Sequence, residues 1–379
     1  MSLNQKIMEK SVFVRNLVIH TIYIRILKPI FFYYDPEDVH DWMIIFGKNL
    51  GKFWFTRFTT KLFFGYKNIK LSQKVLGLDF MNPVGLAAGF DKNAELPNIL
   101  PSVGLGFFEV GSITGYFCNG NPKPRLWRLP KSKGLVINYG LKNKGSEEIS
   151  NRLRDKHFSI PIGTNIAMTN SSLNLNINVA IKDYAKSFEL FSDIGDYFTI
   201  NISCPNTLGG QPFMNPSELD LLFERLDVIE TKKPIFVKLS PDISFVEVDI
   251  ILEVIKKHKV HGIICTNLTK NKDNPNLLDK NIPSIGGISG KPLQNLSDDL
   301  LSYIYKKEGS RFVMIGCGGV FNAEDAYKKI RSGATLIQMI TGMIFEGPQV
   351  ISSINHGLVY LLKRDGFSSI SEAIGVDNK

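Results

Sequence analysis

The chain has 379 residues, 44% of them hydrophobic and 21% charged, which is enough to bury a core and excludes a disordered protein; an α/β barrel of ~250 residues plus one small module fits the length. The net charge of +9 suits nucleic acid, an anionic membrane face or an anionic small substrate, but there is no zinc-finger or helix-turn-helix signature and no basic run interleaved with aromatics in the central part, so no nucleic-acid partner is expected. Cys118, Cys204, Cys265 and Cys317 are far apart and without CxxC or metal-ligand spacing, which points to a reducing compartment and to no metal.

Residues 12–34 are rich in Ile, Leu, Phe and Tyr, but Arg15, His20, Arg25 and Lys28 interrupt them. A spanning helix needs ~20 mostly apolar residues, so this is a poor transmembrane candidate, and it lacks the cleavage site of a secretory signal. An amphipathic helix packed on its own domain accounts for it. Asp35-Pro36-Glu37 reads as a helix start, with Asp35 as N-cap and Pro36 in the first helical position. Val39, Trp42, Met43, Phe46, Leu50 and Phe53 then recur at three- and four-residue spacing, which gathers them on one face. Trp54, Phe55, Phe58, Leu62, Phe63 and Phe64 follow, among Lys48, Lys52, Arg57, Lys61 and Lys67. Apolar surface rimmed by lysine and arginine suits an interfacial helix pair on anionic lipid; core packing explains the same pattern. Residues 1–70 are expected to form this helical module.

Beyond residue 71 the texture changes to short β-rich runs, at 83–88, 107–111, 160–166, 197–202, 234–239, 262–266, 312–316 and 336–340. Amphipathic helices are predicted between several of them, at 217–229, 245–258, 296–307 and 323–332. Eight strands alternating with helices imply a closed parallel (β/α)8 TIM barrel, here over 71–365 with a C-terminal tail at 366–379. Polar and glycine residues cluster just after these strands, where barrel enzymes keep their chemistry. Gly316-Cys317-Gly318-Gly319 and Thr341-Gly342 follow the last two strands, the place where barrels bind phosphate through backbone N–H groups. Cys265 and Cys317, in apolar runs, read as small core residues, and Cys118 as part of a polar loop.

The strings YDPEDVH (34–40), NPVGLAAGFDKNAE (82–95), KPRLWRLP (123–130), NISCPNT (201–207), VKLSPD (237–242), GGISGKPL (286–293) and IGCGGV (315–320) together resemble the class 2 dihydroorotate dehydrogenases over residues of about 33 to 360. The resemblance implies an FMN barrel that oxidises dihydroorotate to orotate and passes the electrons to a membrane quinone. It also implies peripheral attachment to an anionic membrane surface, at the cytoplasmic face of the inner membrane if the source is bacterial, with no obligate protein partner. Family FMN positions fall on Ala88, Gly89, Ser112, Asn165 and Asn201, on Lys238, Thr266 and Gly290, and on Gly319, Ile340 and Thr341. Substrate positions fall on Lys92, Asn138, Gly140, Leu141, Asn201, Asn206 and Asn267. Lys92 would pair with the carboxylate, and amides that donate and accept suit the other edges of the flat orotate anion. His40 and Arg128 fall where the family lines its quinone tunnel, although an ordinary salt-bridged arginine also accounts for Arg128.

The base implied is Cys204, on the face of the substrate opposite the flavin. Class 2 enzymes typically have serine there, and cysteine resembles the class 1A enzymes. A free thiol has a pKa of about 8.5, and neighbouring donors or positive charge are expected to leave a thiolate fraction near neutral pH. Leu141, where class 2 has phenylalanine, is expected to be its companion change. Two further departures concern the substrate: the asparagine of VINYGL (136–141) lies one residue closer to glycine than usual, which puts Ile137 in its place, and Leu268 replaces a hydroxyl residue. The rival readings are a soluble dihydroorotate or dihydropyrimidine oxidoreductase using fumarate or a nicotinamide nucleotide, and a membrane-binding barrel without activity.

Overall fold

The computed structural model describes residues 3–378. Thirteen strands occur in it, in chain order β1 (Gln73–Val75), β2 (Leu78–Phe80), β3 (Val84–Leu86), β4 (Phe107–Ile113), β5 (Leu126–Leu129), β6 (Gly134–Ile137), β7 (Ile162–Ile166), β8 (Tyr197–Asn201), β9 (Ile235–Leu239), β10 (Gly262–Cys265), β11 (Gly287–Gly290), β12 (Val313–Cys317) and β13 (Leu336–Met339). Eight of them, β3, β4, β7, β8, β9, β10, β12 and β13, close into a parallel barrel in that order. They are the eight predicted strands. Residues of β7, β8 and β9 are buried throughout, as strands covered by the barrel interior on one face and helices on the other must be.

The interior is layered. The antiparallel hairpin β1–β2 plugs the N-terminal end, where Phe80 meets Phe107 edge to face at 5.4 Å. Phe107, Tyr197, Phe236, Ile264, Ile315 and Leu336 complete this apolar layer. The rings leave no room for side chains beside them: a Cβ on Gly163 would lie 2.3 Å from Tyr197 Cζ, and one on Gly262 2.3 Å from Phe236 Cε1. Above that layer the interior turns polar, and the C-terminal mouth opens on it. A separate antiparallel sheet, β5–β6–β11, forms a roof over this mouth.

The N-terminal helices are α1 (Leu3–Ile22), α2 (Lys28–Tyr33), α3 (Pro36–Lys52) and α4 (Trp54–Phe64), with a π-helical stretch at Tyr23–Leu27 joining the first two. Asp35 caps α3 as expected, accepting from the N–H groups of Glu37 and Asp38 at 2.8 and 3.2 Å. Helix α1 packs on its own domain as expected, against the helix Val350–Arg364, but not chiefly by its apolar side. Beside Val12, which packs on the core, it docks through polar groups: Arg15 donates to Ser352 Oγ, Leu62 O and Gly65 O, Asn16 donates to Ser352 Oγ, and Tyr23 of the following π-helical stretch donates to Ile344 O. Val14, Leu17, Val18 and Ile22 of α1, and Ile26 of the π-helical stretch, face outward and are exposed. On α3 and α4 the same holds for Trp42, Phe46, Phe53, Trp54, Phe58 and Leu62, so the barrel does not bury the predicted aromatic face. No single helix among the described residues is long and apolar enough to cross a membrane.

Glu37 joins this module to the roof. It is 2% exposed, pairs with Arg125 of the segment entering β5 at 2.8 Å and with Lys142 at 3.3 Å, and Arg125 donates onward to Asn119 O and Asn121 O. Truncating one partner of a buried pair leaves the other charge uncompensated. Glu37→Leu is therefore expected to lower unfolding stability by about 3 kcal/mol, the low end of that class because Arg125 keeps its two carbonyls; chemical denaturation of the two proteins measures it.

The segment beyond 365 is not a loose tail. Ile370 and Ala373 are fully buried, Gly375 N–H donates to Ile330 O, and Arg331 is paired with Asp377. Apolar residues spaced through 370–374 return this stretch to the barrel wall, beside the helices Gln294–Glu308 and Ala323–Arg331.

Candidate active site

The C-terminal ends of the strands surround one cavity, and 17 of the 20 residues assigned from the sequence to cofactor, substrate, base or acceptor border it; Asn165, Asn138 and Arg128 do not.

 Ala88 and Gly89 follow β3, Ser112 lies in β4, Asn201 ends β8, Lys238 is in β9, and Thr266 and Asn267 follow β10. Cys317 to Gly319 and Ile340 to Thr341 come from the ends of β12 and β13, Gly290 from the roof, and His40 from α3.

The three exceptions have separate causes. Asn165 is fully buried within β7, and its Oδ1 accepts from Ser112 Oγ at 2.5 Å, so it touches the cavity only through Ser112. Asn138 is turned away, as the shortened spacing in VINYGL foreshadows: its Oδ1 accepts from Asn121 Nδ2, and it borders a second pocket with Lys270 and Lys272. Ile137 and Tyr139 face the cavity in its stead. Arg128 is half-buried beside the joint of α2 and α3, where it donates to Tyr34 O at 2.7 Å and lies 4.7 Å over the Phe32 ring.

Lys238 is 5% exposed, as its apolar strand requires. Lys92 projects from the segment after β3, with its ammonium 4.0 Å over the Tyr139 ring, and burial lowers its pKa to about 8. Asn201, Asn206 and Asn267 stand together: Asn267 Nδ2 donates to Asn201 Oδ1 at 3.1 Å, and Asn206 Nδ2 donates to Ile137 O at 2.8 Å. His40 shares a hydrogen bond with Phe90 O at 2.8 Å, and burial, with Lys92 adding to it, lowers its pKa.

Cys204 borders the cavity on the loop after β8, but burial pushes its thiol up to about 11. The Asn206 backbone N–H and the Lys270 charge pull the other way and do not offset it. The expected thiolate fraction near neutral pH is thus corrected: desolvation outweighs the one nearby cation. Cys317 also departs from its reading as a core residue, since it borders the cavity with Lys238 Nζ 4.0 Å from its Sγ. Cys118 is buried, with its Sγ donating to Gly140 O at 3.4 Å.

Sequence reasoning missed Tyr139, Gln338 and Glu109. The signal for Glu109 was present, a single carboxylate inside the buried run Phe107 to Ile113, since such a group is almost never buried without partners.

A family model described as dihydroorotate dehydrogenase matches residues 70–362. A protein of Trichodesmium erythraeum named dihydroorotate dehydrogenase (quinone) is 38% identical over 336 residues, covering 85% of this chain and 88% of its own. One of the same name from Gloeobacter violaceus is 36% identical over 359 residues, covering 93% and 98%. Among solved structures, the Eimeria tenella DHODH in complex with ferulenol superposes with a TM-score of 0.82 at 30% identity, covering 91% of this chain and 96% of that one.

Proposed function

The chain belongs to the dihydroorotate dehydrogenase family, and on that premise we propose that it oxidises dihydroorotate to orotate with FMN and passes the electrons to a membrane quinone, in pyrimidine biosynthesis. The observation that carries this reading is the meeting of Cys204, Lys92, Lys238 and the asparagines Asn201, Asn206 and Asn267 in one cavity.

The cavity's donors fit FMN. Gly89 has a φ of 108°, and a Cβ there would meet nothing nearer than Ile340 Cδ1 at 3.9 Å, so its bare backbone borders open space where a flat ring can approach. Gly318, Gly319, Thr341 and Gly342 border the same cavity, with backbone N–H groups of the kind that hold a phosphate. Lys238 would supply a cation beside the ring, where negative charge builds on reduction. The chemistry asked of bound FMN is acceptance of the substrate's C6 hydride and release of two electrons to a quinone.

Lys92 binds the substrate carboxylate, and Asn201, Asn206 and Asn267 hold the ring edges. Cys204, in its thiolate form, would take the C5 proton onto Sγ as the C6 hydride leaves. On this reading residues 1–70 are the membrane and quinone-access module and 71–365 the FMN barrel, and His40, which lines the cavity from α3, is assigned to the quinone site. The outward apolar faces of α1, α3 and α4 support peripheral attachment to a lipid surface.

Lys92 gives this reading a pH signature. Its pKa is depressed to about 8, so the ammonium that attracts a carboxylate is present below that pH and lost above it. The dissociation constant of orotate, read from the flavin spectrum, is expected to be flat below about 8 and to rise tenfold per unit above it. Lys92→Met should raise it throughout and erase the break; a K92M profile that still breaks there would remove Lys92 from the site.

A further inference from the structure

Between the apolar layer and the cavity lies a carboxylate that the reaction does not use. Glu109, in β4, is fully buried. Its Oε2 accepts from Asn165 Nδ2 at 2.9 Å, and its Oε1 from Gln338 Nε2 at 2.7 Å, Thr199 Oγ1 at 2.8 Å and Tyr197 OH at 3.4 Å. All four are neutral donors, so the carboxylate is held by hydrogen bonds and not by a countercharge at contact.

These bonds begin a relay with one sense. Asn165 gives its N–H downward to Glu109, so its Oδ1 accepts from Ser112 Oγ. Ser112, its proton committed, accepts from Asn201 Nδ2 at 2.9 Å. Asn201 Oδ1 then receives Asn267 Nδ2 and the Ser203 backbone N–H, and Asn267 Oδ1 receives the Leu268 backbone N–H at 2.8 Å. A backbone N–H can only donate, so the Leu268 end fixes the sense of the whole relay and leaves Glu109 as the acceptor at its other end.

We infer that Glu109 is a positioning residue whose buried negative charge sets the reduction potential of the flavin held in this cavity. Gln338, bonded to Glu109, itself borders the cavity, so the charge is one side chain from the cavity that would hold the ring, in surroundings that screen it weakly. Hydride transfer to the ring adds one negative charge there. Glu109 opposes that charge and Lys238 favours it. The inference rests on the reading of the cavity as a flavin site.

Glu109→Gln isolates the charge. Gln338 Oε1 is buried without a partner, so turning the Gln338 amide over offers an acceptor to the new N–H while the other new oxygen still receives Asn165. The midpoint potential of the bound flavin, measured against a reference dye, is expected to rise in E109Q by a tenfold or greater change in the reduced-to-oxidised ratio, about 30 mV for a two-electron couple. Reduction by dihydroorotate should quicken and reoxidation by a short-chain benzoquinone should slow, whereas a purely structural lesion would not move the two half-reactions in opposite directions. Glu109→Asp, which keeps the charge, should hold the wild-type potential. An unchanged potential in E109Q, or an equal shift in E109D, overturns the inference. Should E109Q not accumulate as a flavoprotein, Thr199→Val removes one donor from the carboxylate and should lower the potential; no change there is equally contrary. A wild-type protein that takes up no FMN would instead overturn the reading of the cavity.

Discussion

Cys204→Ala is expected to slow flavin reduction by dihydroorotate by about 10²- to 10⁴-fold, the usual worth of a positioned general base, while FMN stays bound. Apart from Asn201, which lies within β8 itself, the FMN assignments lie on other strand ends, so removal of one sulfur from the loop after β8 leaves the barrel and its cofactor contacts in place. The pH dependence separates base chemistry from a packing defect. Burial sets the thiol at about 11, and the proton-accepting form is the thiolate, so the reduction rate in wild type should climb with pH toward that value, close to tenfold per unit while the thiol predominates. Cys204→Ser should lose that climb. Full turnover in C204S with an unchanged pH–rate profile would remove the thiolate from the mechanism.

The second large effect concerns the membrane. Trp54, Phe58 and Leu62 recur every four residues along α4 and are 71%, 52% and 58% exposed, a single stripe turned from the protein. Burying such side chains is worth roughly 1.5–3 kcal/mol each. Replacing all three with glutamate should therefore reduce partition onto anionic vesicles by on the order of 10³-fold or more, since every 1.4 kcal/mol is tenfold. The outward position of the stripe predicts little change in stability. Turnover with a short, water-soluble quinone should persist while turnover with a long-chain quinone in vesicles falls. Unchanged vesicle partition in the triple variant would assign these faces to something other than lipid.

The barrel was legible because its strands are short β-rich runs between amphipathic helices, a pattern that one fold satisfies, and all eight strands fall where that alternation puts them. The strand-end residues were legible for the same reason. Periodicity could gather Trp42, Phe46 and Phe53 on one face of α3, but not say which way the face turns, because lipid and a protein core ask for the same residues. The inverted packing of α1 depends on partners more than 300 residues away, such as Ser352 with Arg15, which no local pattern reports. The state of Cys204 was misjudged because desolvation is a property of the closed loop and roof, not of the neighbours in sequence. Asn138 shows the opposite case: a one-residue change of spacing, visible in the string itself, is enough to turn a side chain to the other side of the roof.

The most direct test is anaerobic stopped-flow mixing of the FMN-loaded protein with dihydroorotate, followed in the same preparation by a quinone. The account predicts bleaching of the flavin absorbance by dihydroorotate and its return on addition of quinone, with fumarate and nicotinamide nucleotides ineffective. A flavin that dihydroorotate does not bleach, or one that fumarate reoxidises while quinones leave it reduced, would contradict it.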